Sequence, residues 1–551
     1  MKKFLQNIFA ILNRKEKEKL VKLTILDLCT SILDILFLIG ILYVINFYTE
    51  SDTKRSSFFF SDYFNRYPLL LISIFLVLFA LKNFIGFLVS KMQYNYVYEV
   101  ASRISKDNLL HYLHGSYDDY VKIDSSVNMY KISQQPIEFC HYVLSGFQQV
   151  FSQAALIGLT IIAILIYNPL LFPLLLIILT APVILTAWLM KKKLAAVRLH
   201  GKTTGERSIQ HLQEALAGYI ESNIDNKHDF FSTRYHSFQS KLNHYLAEKL
   251  VIQHIPSRLI EVFAVFGLFV LILLNTYTAN GYTIQLITIG AFMAAAYKVI
   301  PGIVKIINIM GQVKTYSYTI SGLLDQAPLK DKKNSTDINS IEFNSISFSY
   351  HGKKIIESFS MHLSKGDFAG ISGPSGKGKT TIANLLLGFL NQDGGNILIN
   401  GKEHNKEERQ GYWNRISYSK QQPFFLHDSI LQNIKLHDGA HDTKKLNSIL
   451  NITGIDKILA NNSAGLETIV TENGKNFSGG QRQRIIFARA LYKDADLVIL
   501  DEPFNELDET SEKIMLEQLK KIAAEGKIVI LVTHNSAALD FCNKTIILNE
   551  R

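Results

Sequence analysis

The sequence predicts an α-helical membrane bundle of six spans with long cytoplasmic extensions, fused to an α/β domain with a phosphate-binding loop. Three observations carry this prediction. The amino-terminal half holds apolar runs that reach the ~20 residues a spanning helix needs. The carboxy-terminal half alternates strand-like and helix-like runs, as α/β domains do. In that half, Gly373–Thr381 fits G-x-x-x-x-G-K-[ST] between a buried strand, Phe368-Ala-Gly-Ile-Ser, and a helix beginning near Ile382. Hydrophobic residues make up 48% of the 551 and the mean hydropathy is +0.11, high for a wholly soluble chain.

The first residues, Met1-Lys-Lys-Phe-Leu-Gln-Asn-Ile-Phe-Ala-Ile-Leu, have a short apolar core followed by Arg14-Lys-Glu-Lys-Glu-Lys, with no small-residue cleavage site. Residues 1–22 are therefore expected to form an amphipathic elbow helix on the cytoplasmic membrane face, not a cleaved signal. The expected membrane domain occupies 23–324, with spans at Leu23–Phe47, Pro68–Val89, Val143–Tyr167, Leu170–Met190, Leu259–Thr276 and Ile284–Met310. Asn168-Pro169 and Thr278-Ala-Asn-Gly-Tyr make tight loops without Lys or Arg. Basic residues crowd the amino terminus and the segment from Lys191. The positive-inside rule then puts both termini in the cytoplasm and the chain in the inner (plasma) membrane as a multi-pass protein. By the same reasoning the formal charge of +10 belongs to cytoplasmic loops and membrane lipid, and no nucleic-acid partner is expected.

The connections Ser90–Tyr142 and Lys191–Arg258 are polar and helix-compatible. Each has a candidate for a short crosswise element, at His114-Gly-Ser-Tyr-Asp-Asp-Tyr and Ser222-Asn-Ile-Asp-Asn-Lys-His, with plain solvated turns as the alternative. Cys29, Cys140 and Cys542 lie too far apart for a metal motif or a disulfide framework, and read as small buried side chains. Asp325–Asp337 is polar, charged and contains Pro328, so 325–339 reads as a linker and 340–551 as the second domain.

Within that domain the polar motifs fall at strand ends. In the loop, Gly373, Pro374, Ser375, Gly376, Lys377, Gly378, Lys379, Thr380 and Thr381 surround a phosphate: backbone amides curl around it, Lys379 reaches the β/γ-phosphates and Thr380 suits Mg²⁺. Tyr350 precedes the loop and has a ring that can stack on a purine. Gln421 follows at the end of a neighbouring strand. Ser478-Gly479-Gly480-Gln481 is a second Gly-rich turn entering a helix, another phosphate site. Leu497-Val-Ile-Leu-Asp501-Glu502 is a buried strand ending in two acids, one suited to Mg²⁺ and one to a water. His534 ends the strand Ile528–Thr533.

These motifs, in this order, resemble an ABC-type nucleotide-binding domain over the last ~220 residues, and the whole chain resembles an ABC exporter half-transporter of the type IV fold. Ser478-Gly-Gly-Gln is the specific part, because it separates ABC ATPases from other P-loop proteins. The resemblance makes Tyr350 the A-loop, Gly373–Thr381 the Walker A and Gln421 the Q-loop. It makes Thr471–Gly474 the X-loop, Ser478–Gln481 the signature and Leu497–Asp501 the Walker B. Asn505–Asp508 become the D-loop and His534 the switch histidine. It implies ATP and Mg²⁺ as ligands, with Thr380, Gln421 and Asp501 at the metal. Lys379, Gln421, Glu502 and His534 would act in catalysis, Glu502 polarising the water. The chain departs from the family where the D-loop reads Asn-Glu-Leu-Asp in place of Ser-Ala-Leu-Asp, at Thr471 in the X-loop, at Phe477 and at Lys377. The sixth span, with Tyr297-Lys-Val-Ile-Pro301, is similar to the lipid-linked-oligosaccharide flippase branch.

In the family one ATP lies between the Walker A of one subunit and the signature of another. A single copy of each motif therefore implies a C₂ homodimer. The resulting expectation is ATP-driven export or flipping of a substrate the sequence does not identify: lipid-linked glycan, lipid, peptide or drug. Without a peptidase-like segment ahead of the helices, leader-peptide-cleaving export is not expected. An ATP-gated channel or sensor on the same scaffold is the competing class; a soluble nucleic-acid ATPase is denied by the spans. Asp27, Thr30, Ser31 and Asp34 share one face of the first span. Lys298, Lys305, Asn308 and Gln312 share one face of the sixth. Charges at mid-bilayer rarely face lipid, so Asp27, Asp34, Lys298 and Lys305 are candidates to line a central cavity, with a structural ion pair as the alternative.

Overall fold

The computed structural model describes residues 2–49, 67–167, 184–186, 188–189, 201, 203–277, 286–324, 336–374, 376–460 and 463–548. The chain forms two units, one of residues 1–115 and 123–329, the other of residues 116–122 and 330–551.

The first unit is helical. Helix α1 (Lys2–Ile11) ends at a sharp turn before α2 (Arg14–Thr49). The Lys/Glu run expected to extend the elbow is instead the first turn of α2. Asn13 causes the break. Its side chain accepts from the Glu16 amide at 2.9 Å while Glu16 accepts from the Asn13 amide at 2.9 Å, a reciprocal cap. Helix α3 (Pro68–Leu113) starts on a proline, whose missing N–H is harmless at that position. Its 46 residues span roughly 69 Å at 1.5 Å per residue, enough to run well past a bilayer. Arg103 on α3 grips the elbow: it donates to both Glu16 carboxylate oxygens at 2.6 and 3.0 Å and to the Ile11 carbonyl at 3.1 Å. Beneath this clamp Ile8, Leu23, Tyr96, Phe139, Cys140 and Leu144 are fully buried together. Cys140 is thus a packing residue, whereas Cys29 is exposed.

Two π-helical turns, Tyr130–Gln134 and Phe139–Leu144, precede helix α5 (Ser145–Tyr167). They loosen the i→i−4 ladder, and α3 supplies partners: Asn108 donates to the Lys131 carbonyl at 2.6 Å and Ser105 to that of Ile132. The second long connection comprises a helix over 203–217, helix α6 (Tyr219–Ile224) and helix α7 (His228–Tyr277), which contains Pro256. Helix α8 (Leu286–Thr315) contains Pro301 and is followed by α9 (Tyr318–Leu324). Buried Lys249 of α7 lies over the rings of Tyr142 and Tyr316, at 4.4 and 4.8 Å, and donates to the Tyr316 hydroxyl at 2.9 Å. Burial holds its ammonium below the usual lysine range. Tyr318 donates to Glu138 at 2.7 Å. The chain leaving the bundle is thereby fixed to the π-helical segment. Among the described residues, Arg14–Ile41 and Leu69–Leu113 are helices long and apolar enough to cross a membrane. The expected fourth span and both expected tight loops lie largely or wholly outside the described residues.

The second unit contains a parallel sheet and an antiparallel one. Strands β1 (Ser340–Tyr350), β2 (Lys353–Ser364), β4 (Gly394–Ile399) and β5 (Lys402–Glu403) form the antiparallel sheet, in the order β2-β1-β4-β5. Strands β3 (Phe368–Ser372), β6 (Ile416–Ser419), β9 (Leu497–Asp501), β10 (Ile528–Val532) and β11 (Lys544–Ile547) form the parallel sheet, in the order β11-β3-β10-β9-β6. The pair β7 (Asp428–Ser429) and β8 (Ile469–Val470) stands apart. Parallel strands covered on both faces read as unbroken apolar runs, and β9 and β10 are buried throughout. The first crosswise candidate is a helix, α4 (Tyr117–Lys122), and it packs in this unit. The Tyr117 ring stacks on Phe389 with centroids 4.9 Å apart, and Phe389 meets Trp413. The second candidate also contains a helix, α6, in the first unit; its Tyr219, Ile220 and Ile224 side chains are exposed.

Candidate nucleotide site

Strand register brings the site together. Val532 pairs with both Ile371 and Asp501, and Leu500 pairs with Ser419. The segments after β3, β6, β9 and β10 therefore emerge at one sheet edge, carrying Gly373, Gln421, Glu502 and His534. This is where open α/β sheets bind ligands.

After β3 the chain wraps into the phosphate loop and enters helix α10 (Lys379–Leu386). Gly378 precedes the helix at φ 92°, and an added Cβ would press on Ile355 and Ile356 at 3.1 and 3.2 Å. Only glycine meets both conditions. Lys379 is buried, and its ammonium donates to the carbonyls of Gly373 and Pro374 at 2.7 and 3.1 Å. It is thus held inside the loop it serves. Lys377 is half-buried, Gly376 and Thr380 are exposed and Thr381 is buried; Ser375 lies outside the described residues.

The Thr380 hydroxyl donates to Asp501 Oδ2 at 2.8 Å. A hydroxyl and a carboxylate in contact are hard oxygen donors of the kind Mg²⁺ takes together with nucleotide phosphates, so the pair fits that ion. Burial raises the Asp501 pKa, against the lowering effect of the Thr380 hydrogen bond. The raised value means that the charged form costs the fold free energy. The associated stability is present at low pH and lost as pH rises through the folded value. Asp501→Asn is therefore expected to raise the melting temperature of the ligand-free protein at neutral pH, by an increment that shrinks in acid. The variant should lose the further stabilisation that Mg²⁺–ATP gives. Melting curves across pH, with and without Mg²⁺–ATP, check both signs.

Glu502 follows at φ 48°, a left-handed conformation that non-glycine residues rarely adopt. Its amide donates to the Val532 carbonyl at 2.9 Å, which ties the strained residue to β10. Gln421 Nε2 donates to Glu502 Oε2 at 2.6 Å and Asn505 Nδ2 donates to the same oxygen at 3.0 Å. His534 Nδ1 stands 3.7 Å from Oε1. Asn505 is not among the expected site residues. Its signal in the sequence is the departure from Ser in the D-loop.

Tyr350 ends β1, partly exposed, with its ring edge-on to Phe348 at 4.7 Å. Ser478 caps helix α11 (Gly479–Tyr492). Its hydroxyl accepts from the Gln481 amide at 3.3 Å, and the Gln481 side chain accepts from the Ser478 amide at 2.9 Å. Gly479 and Gly480 thus open a 14-residue helix. In the X-loop, the Thr471 amide and hydroxyl both donate to Asn476 Oδ1, at 3.0 and 2.9 Å.

In the bundle, Asp34 forms an ion pair with Lys82 of α3. Lys82 is the single charged residue of the second expected span, and matching the first span to the sixth by depth and sign overlooks it. Asp27 is half-buried, and its carbonyl accepts from Thr30 and Ser31. Ser31 meets Ser152 of α5 at 3.5 Å. Lys305 is exposed, and Asn308 donates to the Gln253 carbonyl at 2.9 Å. The side chain of Lys298 lies outside the described residues.

A phosphate loop, a paired Thr and Asp, a glutamate beside them and a second capped Gly-rich helix are the parts of an ABC-type nucleotide-binding unit. Residues 356–505 match the ABC transporter family. The chain as a whole has the fold of an ABC exporter. A solved bacterial Atm1-family ABC exporter with ATP bound covers 97% of this chain and 94% of its own at TM-score 0.77 and 16% identity, a likeness of fold. A Rickettsia conorii protein named as an export ATP-binding/permease protein is 32% identical over 45% of this chain and 44% of its own length. An ATP-dependent lipid A-core flippase of Paraburkholderia xenovorans is 26% identical over 64% of this chain and 60% of its own. The chain spans about half the length of these curated relatives in the alignments.

Proposed function

We propose that this protein is an ATP-driven exporter or flippase that works as a homodimer in the inner (plasma) membrane, with both termini and the ATPase unit in the cytoplasm. The observation that carries the reading is Glu502, held by Gln421 and Asn505 next to the Thr380–Asp501 pair. A carboxylate so placed is a positioned base for a water attacking a phosphate. Lys379 and the loop amides bind and orient the triphosphate. Thr380 and Asp501 would hold Mg²⁺, with Gln421 beside them; the ion supplies charge neutralisation on the phosphate oxygens. Tyr350 stacks on the adenine, and His534 and Gln421 sense the γ-phosphate. Ser478–Gln481 of each copy complete the other's site.

The cargo proposed is a lipid-linked anion, in keeping with the name of the Paraburkholderia relative. Asp27, Asp34, Lys298 and Lys305 are proposed to line its path, with the Asp34–Lys82 pair supporting the wall. The test is nucleotide-dependent movement of labelled lipid against its gradient in sealed vesicles. Movement only down the gradient would favour the channel reading, and stimulation by peptides or drugs alone would exclude the lipid cargo. Lys305→Ala is expected to raise the lipid concentration for half-maximal ATPase stimulation by about tenfold, the scale of one hydrogen bond to a charged group.

A further inference from the structure

The D-loop departs from its family at Glu506 as well as Asn505, and the two side chains face opposite ways. Asn505 reaches Glu502. Glu506 reaches the signature turn of the same chain. Its backbone amide donates to Gln483 Oε1 at 3.0 Å, and its carboxylate pairs with Arg482 at 3.2 Å. That carboxylate lies directly on Gly479: a Cβ built there would collide with Glu506 Oε2 and stand 2.6 Å from its carboxyl carbon. The Glu506 backbone carbonyl covers Gly480 in the same way, at 3.1 Å from its Cβ position. The Glu506 side chain is half-exposed, on a cleft of about 420 Å³ that also holds Gln421, Arg482 and Glu502. A full negative charge therefore sits against the first turn of α11, where the helix dipole favours an anion. The family's usual alanine carries no charge there.

We propose that Glu506 is an internal anion opposing the γ-phosphate of ATP at the signature turn, so that it sets the ATP concentration at which the two ATPase units close. This rests on the reading that each signature receives the other subunit's nucleotide. A triphosphate approaching Ser478 meets a like charge within a few ångströms, and its docking requires the carboxylate to leave Gly479 or to be tolerated at a loss of affinity. Glu506 also engages Arg482, a cation that would otherwise favour the phosphate. Both effects act in one direction.

The experiment uses the full-length dimer in nanodiscs carrying Glu502→Gln, with closure read by spin-label distances between the two ATPase units as ATP is titrated. Glu506→Gln, which keeps the shape and removes the charge, and Glu506→Ala are each expected to lower the ATP concentration for half-maximal closure by about three- to tenfold, with the difference narrowing at high salt. In dimers with Glu502 intact, the KM for ATP should fall alike while kcat stays within about twofold. Glu506 as a mere brace for Arg482 would give lower melting temperatures and an unchanged midpoint in both variants. That result, or a raised midpoint, overturns the proposal. Loss of the parent reading looks different: ATP would then bring the two ATPase units together in no variant, whether Glu, Gln or Ala stands at position 506, whereas failure of the proposal alone leaves closure intact with an unshifted midpoint.

Discussion

Glu502→Gln is expected to bind ATP and to turn over on the order of 10²–10⁴ more slowly, the contribution of a positioned base. The structure sharpens this expectation. The introduced side-chain amide would retain one oxygen for the Gln421 and Asn505 donors, so the strained backbone at φ 48° and its bond to Val532 need not change. The loss should fall on the chemical step alone. The variant should accumulate as a closed, ATP-bound dimer, seen as nucleotide that co-purifies with protein in stoichiometric amounts. Hydrolysis near the wild-type rate would remove Glu502 from the role of base and leave His534, 3.7 Å away, as the next group to test.

Ser478→Arg is expected to abolish closure and to lower hydrolysis on the order of 10²-fold, as loss of a preorganised donor does. Two effects combine. The side chain would fill the space proposed for the partner's γ-phosphate, and the hydroxyl that caps α11 is lost, at about 1 kcal/mol of local stability. The Gln481 side chain still accepts from the backbone amide at the substituted position, so the helix should persist and the ATPase unit should stay folded. Mixed dimers separate the geometries. One mutant copy should silence the site its signature lines while the mutant's own Walker A still hydrolyses in the other. Silencing of the mutant's own Walker A alone would refute the shared site.

Most of the layout of the candidate site was legible in the sequence because its parts are local. A phosphate loop needs glycines at fixed spacing within nine residues, and a Walker B strand is a buried run ending in acid. Strand-end placement then follows from the parallel sheet. What escaped reading were contacts between residues distant in sequence or dependent on side-chain reach. Asn505 on Glu502 and Glu506 on Gly479 lie in a loop whose departures were visible but whose directions were not. In the bundle, Asp34 matches the sixth span by depth and sign, yet its ion partner is Lys82. Apolar spans present many faces of similar composition, and periodicity cannot say which two helices touch.

The sequence by itself determined the class: spacing and periodicity are properties of a short stretch of chain, and they sufficed for a helical bundle of the exporter fold joined to an α/β unit with a phosphate loop. The tertiary structure decided the clamp of Arg103 on Glu16, the two π-helical turns and the position of α4 within the ATPase unit. It also decided the orientation of the D-loop side chains. Each of these depends on which surfaces meet across dozens of residues. Packing selects that meeting among many that hydrophobic pattern alone would allow.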